Sequence, residues 1–483
     1  MRSTRLFLAA TALATSGIAI AQVRGLSQRD VVESQRAHPQ VLAEYGGAET
    51  GARGAYVESV GRRVAATSGL PAGSLRYTAL NSAVENAFAL PGGYVYVTRQ
   101  LMGLINDEAE LGFVLGHETG HIAARHAQAR ESVSRRNSIF GVLGAVLGAA
   151  VGSDAIGSLL SQGAQLRTLS FSRAQEYQAD TLGIRYLSSA GYDPLASTSM
   201  LNALSRSAAL EARVQGRNNR STPEWAQTHP LNENRTRQAA ALAQRSPRAG
   251  VGLRNRDAYL AQIDGIVVDD DPAQGVIDGR TFTHPDLRLQ FAVPAGYQMS
   301  NGATAVTIAG SAGQAQFSTG RFDGDFGRYI QAVIYGLTQG KAQVALSPLG
   351  RTTINGLDAG YVTGRAQTSS GMVDISVMAY RFDANTAYHF VMITRAGQGM
   401  QPFGSMLDSL RRISPAEAAS IRPRVIDVVT VARGDTVASL GARMAYRDYQ
   451  VERFASLNGL ARGAALVPGQ KVKLVVYGPR RRG

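Results

Sequence analysis

Residues 107–126 read DEAELGFVLGHETGHIAARH, and their spacing decides what the first half of the chain builds. Asp107 with Glu110 three positions later has the form of a helix cap. Leu111, Val114, Leu115 and Ile122 then recur at helical intervals, so His117-Glu-Thr-Gly-His121 lies on a helix. Two histidines four apart stand about 40° apart around a helix, one turn separated. Both imidazoles can therefore reach one metal ion while Glu118 addresses a water on it; the alternative is two histidines on an ordinary amphipathic face. His126 does not extend the set. If the helix continues, it points about 140° away from His121, as a surface group or one that supports the site from behind.

Composition narrows the chemistry around that helix. At roughly 150 residues per domain, 483 residues make about three folding units, and 44% hydrophobic with 18% charged residues is the balance of a packed protein. The chain has no cysteine, which excludes disulfides, thiolate metal sites, cysteine nucleophiles and a lipidated N-terminal cysteine. Any metal must then be held by His, Asp or Glu. The formal charge is +14, and nine basic against two acidic residues fall between Arg443 and Gly483. A basic end can face nucleic acid, anionic lipid or an anionic polymer outside the membrane. Residues 1–21, MRSTRLFLAATALATSGIAIA, choose among these, because two arginines, a short apolar stretch and a small-x-small ending read as a signal peptide cleaved after Ala21. The expected location is exported, periplasmic and soluble, or extracellular or wall-bound in an organism without an outer membrane. Nucleic acid is excluded as a partner.

The expected organisation is a mainly α metal domain over residues 22–245 with a small β-rich interruption near 74–98. A linker at 246–280 carries Asp269-Asp270-Asp271-Pro272. An α+β domain at 281–413 alternates period-2 segments such as 374–380 and 388–394 with helical stretches near 326–337 and 403–410. A compact module at 424–477 and a basic tail at 478–483 follow. Phe140–Val151, FGVLGAVLGAAV, is too short to span a bilayer; it reads as a buried or lid-like hairpin, or as a shallow contact with membrane.

With two histidines on one helix, the third ligand comes from a carboxylate elsewhere. Ser172 can cap a helix through Glu176 and Asp180, stopped by Gly191 and Pro194. The two carboxylates share a face, so one can bind metal while the other fixes the tautomer of a ligand histidine. Without the upstream histidines the same pair would read as a solvated acidic face.

HETGH followed by Arg125-His126, then Ser172-Arg173 and Glu176-x-x-x-Asp180, resembles the zinc gluzincin peptidase family that contains HtpX and the CAAX prenyl endopeptidases, in particular its exported soluble bacterial members. Asn86-Ala-Phe-Ala-Leu-Pro-Gly-Gly93 before Tyr94-Val-Tyr-Val-Thr98, and Thr228-His229-Pro230 with Arg235 six residues after His229, resemble further elements of that family. The resemblance covers roughly residues 30–245. It implies that His117, His121 and Glu176 bind one Zn²⁺ per chain, that Glu118 is the general base and that Asp180 orients a ligand. It also implies that Gly93, Tyr94, Val95 and Tyr96 form the strand that holds substrate. His229 and Arg235 are expected near the cleft to stabilise an oxyanion, with His229 alternatively closing the open metal position.

Val428–Tyr477, with Gly434-Asp435-Thr436, Leu457-Asn-Gly-Leu460 and Pro468-Gly-Gln470, resembles the LysM domain, a βααβ module that binds N-acetylglucosamine-containing glycans. Ala445–Gln450 departs from the usual loop, so a fold used only for docking is the alternative. The resulting expectation is an exported zinc metalloendopeptidase acting on envelope proteins and held to peptidoglycan by residues 424–477; deleting residues 424–483 would abolish that hold and leave proteolysis intact. The alternatives are a murein endopeptidase and a non-cleaving quality-control scaffold or chaperone.

Overall fold

Thr98 ends a strand and begins a helix in the same residue, its hydroxyl accepting from the Leu101 N–H. That junction delivers the metal-site helix from the sheet. A computed structural model of the chain describes residues 25–129, 171–214, 225, 228–230, 232–338, 344–368, 371–461 and 463–479. Residues 1–21, expected to be a signal peptide, the Phe140–Val151 stretch and Arg480–Arg482 lie outside them. Helices α1 (Gln28–Glu44) and α2 (Ala52–Ala65) precede strands β1 (Arg76–Leu80), β2 (Ala87–Leu90) and β3 (Tyr94–Thr98). The sheet order is β1-β3-β2, with β1 parallel and β2 antiparallel to the central β3. Then follow α3 (Arg99–Leu104), α4 (Glu108–Ala123), α5 (Arg173–Ser189), α6 (Ala196–Val214) and α7 (Glu233–Gln244).

The stretch 246–280 differs from the linker expected of it. It contains α8 (Arg256–Ile263) and β4 (Val267–Val268), and Tyr259, Leu260, Ile263 and Ile266 are buried in the same core as α2 and α4. The Asp-Gly-Arg composition hid four apolar side chains at i, i+1, i+4 and i+7, which is one helix face and its exit. β4 pairs with β17 (Arg424–Thr430), which pairs with β18 (Lys471–Tyr477), giving a sheet ordered β18-β17-β4. Ile426, Leu440, Met444, Phe454, Val472 and Leu474 of the C-terminal module belong to that same continuous core.

The β-rich middle is a separate body with its own cores. A small sheet is ordered β16-β7-β6-β5, from β5 (Val276–Asp278), β6 (Thr281–His284), β7 (Leu289–Ala292) and β16 (Arg411–Arg412). The largest runs β11-β13-β14-β15-β10-β9-β8, using β8 (Gln298–Asn301), β9 (Val306–Gly310), β10 (Gly313–Arg321), β11 (Ala345–Leu346), β13 (Leu357–Thr368), β14 (Gly371–Arg381) and β15 (Thr386–Arg395), with β12 (Gly350–Ile354) also paired to β13. A helix over Phe326–Thr338 covers one face, as its sequence period required.

His389 is buried in this body, its Nδ1 2.8 Å from the Tyr329 hydroxyl. Burial pushes the imidazole down to about 4, against about 6.5 in an unfolded chain. The unfolded chain therefore takes up the proton first as pH falls. The contribution is complete above about pH 6.5 and lost towards pH 4, where the middle body should be destabilised by about 3 kcal/mol. Calorimetry of wild type against His389→Gln measures this: the slope between pH 6.5 and 4 should flatten in the variant, and an unchanged slope would place the effect on another group.

Candidate metal centre

Helix α4 begins as the sequence indicates. Asp107 accepts from the Glu110 N–H at 2.9 Å, and Glu110 accepts from the Asn106 N–H at 2.8 Å. Every residue from Glu108 to Ile122 is buried, so α4 is a core helix packed all round. Against it lies α5, opened by a reciprocal capping box between Ser172 and Gln175. The two approach closely because the contact is lined by small residues. A Cβ on Gly120 would sit 3.1 Å from the Ala179 carbonyl oxygen, and one on Gly183 would sit 3.0 Å from the His117 nitrogen.

That approach sets Glu176 and Asp180 against the histidines of α4. His117 Nδ1 lies 2.9 Å from Asp180 Oδ1, an ion-pair contact that favours a proton on Nδ1 and leaves Nε2 toward the other ligand atoms. His121 Nε2 is 3.0 Å from His117 Nε2 and 3.4 Å from Glu176 Oε1. His229 Nδ1 is 3.2 Å from His117 Nε2 and 3.0 Å from Glu176 Oε1. One ligand atom from each of His117, His121, Glu176 and His229 lies within 4.8 Å of the others, and all four residues are buried. Tetrahedral metal–ligand bonds of about 2.0–2.1 Å hold neighbouring donors about 3.4 Å apart, so these donors suit one zinc ion. Glu118 Oε1 supports the fit: it is buried 3.5 Å from His229 Nε2, with no hydrogen bond among the described residues.

Burial raises the Glu118 carboxyl above its ordinary range, and burial pushes His121 well below its own. Burial alone would also raise Glu176 and Asp180, but their partners reverse it. His229, His121 and Arg235 hold Glu176 well below the carboxylate range, and Arg235 with His117 lowers Asp180. His229 moves the other way: although burial disfavours its charge, Glu176 and Glu118 raise it.

Two sequence expectations change here, and two open alternatives are decided. α4 stops at Ala123, Arg125 adopts a left-handed φ of 55°, and His126 is buried, so of its two expected places it takes the one behind the site. Its Nδ1 lies 2.9 Å from His121 Nδ1 and its Nε2 3.0 Å from Gln178 Oε1, a relay that frees His121 Nε2 for metal. Arg235 does not face an open cleft: its guanidinium spans Asp180 at 2.6 and 2.9 Å and Glu176 Oε2 at 2.7 Å. Gly93–Tyr96 cannot pair with a peptide, because both edges of β3 are taken, by β1 and β2. Among the described residues β1 and β2 are the two end strands, and residues 47–49 bridge to the outer edge of β1 at Ala79–Asn81. His229 lies within the ligand group, the second of its two expected places. Trp225, whose ring stacks on His229 at 4.8 Å, and Phe171, stacked on His121 at 3.8 Å, gave no sequence signal beyond Trp225 being the only tryptophan, four residues before His229.

Comparison with known proteins agrees with this geometry. The model of peptidase family M48 matches residues 52–243 and that of the LysM domain residues 429–475. The chain carries an M48 metallopeptidase domain and a C-terminal LysM domain. The beta-barrel assembly-enhancing protease of Yersinia pestis is 33% identical over 186 residues, 37% of each chain. That of Escherichia coli K12 is 30% identical over 213 residues, covering 43% of this chain and 42% of the relative. The mitochondrial metalloendopeptidase OMA1 of Arabidopsis thaliana is 33% identical over 173 residues, 36% of this chain and 32% of the relative. The chain thus spans about two fifths or less of these relatives' own length. No helix among the described residues is long and apolar enough to cross a membrane.

Glu176→Ala should abolish stoichiometric zinc binding, since it removes a ligand. Asp180→Asn should keep the ion but weaken its affinity about 10–100-fold by loosening His117. Metal analysis and competition with a chromophoric chelator separate the two; equal zinc affinity in both variants would move the third ligand elsewhere.

Proposed function

We propose that this chain is an exported zinc-dependent endopeptidase that hydrolyses peptide bonds of unassembled or misfolded cell-envelope proteins. The observation that carries the reading is the set of four convergent ligand atoms with the buried Glu118 Oε1 beside them, which has no hydrogen bond among the described residues, in a chain with relatives named as a protease and a metalloendopeptidase. His117, His121 and Glu176 would hold the ion, which supplies Lewis-acid polarisation and brings the pKa of a water toward about 7.

The chain's own groups do the rest. Glu118 takes the proton of the attacking water on Oε1 and returns it to the leaving amine nitrogen, and a carboxyl raised by burial is suited to both transfers. Arg235 bridges Glu176 and Asp180, holding one carboxylate toward the ligand set and the other on His117 Nδ1. His229 Nδ1 fills the fourth corner of the ligand group, so it closes the resting site and must turn away for substrate to enter. The exposed edge of β2 is where an extended peptide could add a strand. The LysM domain brings the enzyme to peptidoglycan.

Glu118→Gln should retain zinc and fold but lower cleavage of an unfolded protein substrate at least about 10²-fold, since it removes the base and no ligand. Wild-type turnover in that variant would end the mechanism. Release of muropeptides from purified peptidoglycan by wild type, without protein cleavage, would favour the murein endopeptidase instead.

A further inference from the structure

Helix α3 ends at Leu104 in a buried corner that turns directly into α4. The last carbonyls of a helix have no partner within it, and here none is left to water. The Tyr259 hydroxyl donates to the Met102 carbonyl at 2.6 Å. Lys473 Nζ donates to the carbonyls of Gly103, Leu104 and Ile105 at 2.7, 3.0 and 2.8 Å, and Arg256 Nη1 donates to that of Asn106 at 2.9 Å. Lys473 sits on β18, in the LysM domain, 369 residues from Leu104, and is completely buried.

We propose that Lys473 is a positioning residue for the metal-binding helix, and that the LysM domain is a built-in buttress of the peptidase rather than a detachable tether. An ammonium carries three donors and no acceptor, matching three convergent carbonyls; a planar guanidinium does not. The choice of residue is telling, because lysine occurs only at 341, 471 and 473 in a chain otherwise using arginine. Lys473 is itself held in place: its N–H donates to Asn458 Oδ1 at 2.7 Å and its carbonyl accepts from Asn458 Nδ2 at 2.8 Å. The positive charge also meets the negative end of α3.

Other contacts make the docking rigid. β17 continues into β4, and the Gly265 N–H donates to the Ile426 carbonyl at 2.8 Å. Arg453 reaches Glu211 on α6, and Tyr446 and Arg424 meet Asp269 at 2.9 and 3.0 Å. The turn at 432–434 and the stretch 467–469 remain exposed, so the domain can hold glycan on those loops while it braces α3. A displacement of the domain then reaches α4 through three residues of backbone.

The test uses the full zinc-loaded chain and the variants Lys473→Met and Lys473→Arg. Both should remain folded, exchange amide hydrogens of residues 105–111 at least about 10-fold faster than wild type, and leave β13–β15 unchanged. Cleavage of an unfolded protein should lose at least about 10-fold in kcat with KM within about twofold, and pelleting with peptidoglycan should persist. Wild-type exchange and kcat in folded Lys473→Met, or full activity in Lys473→Arg, would overturn the proposal. The kinetic arm rests on the peptidase reading; the exchange arm does not, so faster exchange without any wild-type cleavage would fault that reading alone. Should both variants fail to fold, a protease site inserted between residues 418 and 423 of the otherwise unaltered chain decides. After cutting, residues 424–483 should stay bound with activity retained, whereas their release with activity and zinc undiminished would overturn the proposal.

Discussion

The site depends on how closely two helices can approach. Gly112, Gly116 and Gly120 recur every four residues along α4, one stripe on one face, and Ala179 and Gly183 answer them on α5. With larger side chains in that seam the helices would part, and a carboxylate on α5 could no longer touch an imidazole on α4. The glycines cost helix propensity, which a helix buried over its full length recovers from packing. Metal ligation is thus a consequence of interhelical distance, and the histidines alone do not secure it.

Such proximity concentrates charge where water is absent, and each charge has a partner. Burying an ion is unfavourable unless it is paired and hydrogen-bonded. Arg235 neutralises part of the Glu176 and Asp180 pair with three short contacts, while the histidines offer neutral donors whose tautomers are set from behind by Asp180 and His126. What remains is a compact group of nitrogen and oxygen donors with net negative character, the environment a divalent cation completes. Glu118 stands apart: its Oε1 has only the 3.5 Å contact with His229 and no hydrogen bond among the described residues.

At the scale of the chain, one hydrophobic core runs from α2 through α4 and α8 into the LysM domain, while the β-rich middle closes around cores of its own. The middle is therefore an insertion between two parts of a single body. Sequence order suggested three beads on a string; the packing joins the first bead to the last.

The sequence by itself determined what is local. The cap at Asp107, the face shared by His117 and His121, the capping box at Ser172 and the pairing of Glu176 with Asp180 all follow from spacing within a single helix. The exclusion of thiolate ligands needed only composition, and the LysM domain was legible from its turns. Tertiary structure decided what depends on chain reversals and distant contacts. His126 reached the site because Arg125 took a left-handed conformation that turned the chain just after α4. Arg235 and His229 found their partners 53 to 55 residues away, and β3 became a central strand because β2 folded back onto it. Lys473 found its carbonyls on the far side of the sequence. Periodicity reports which residues share a face, but which faces meet is set by packing the whole chain at once.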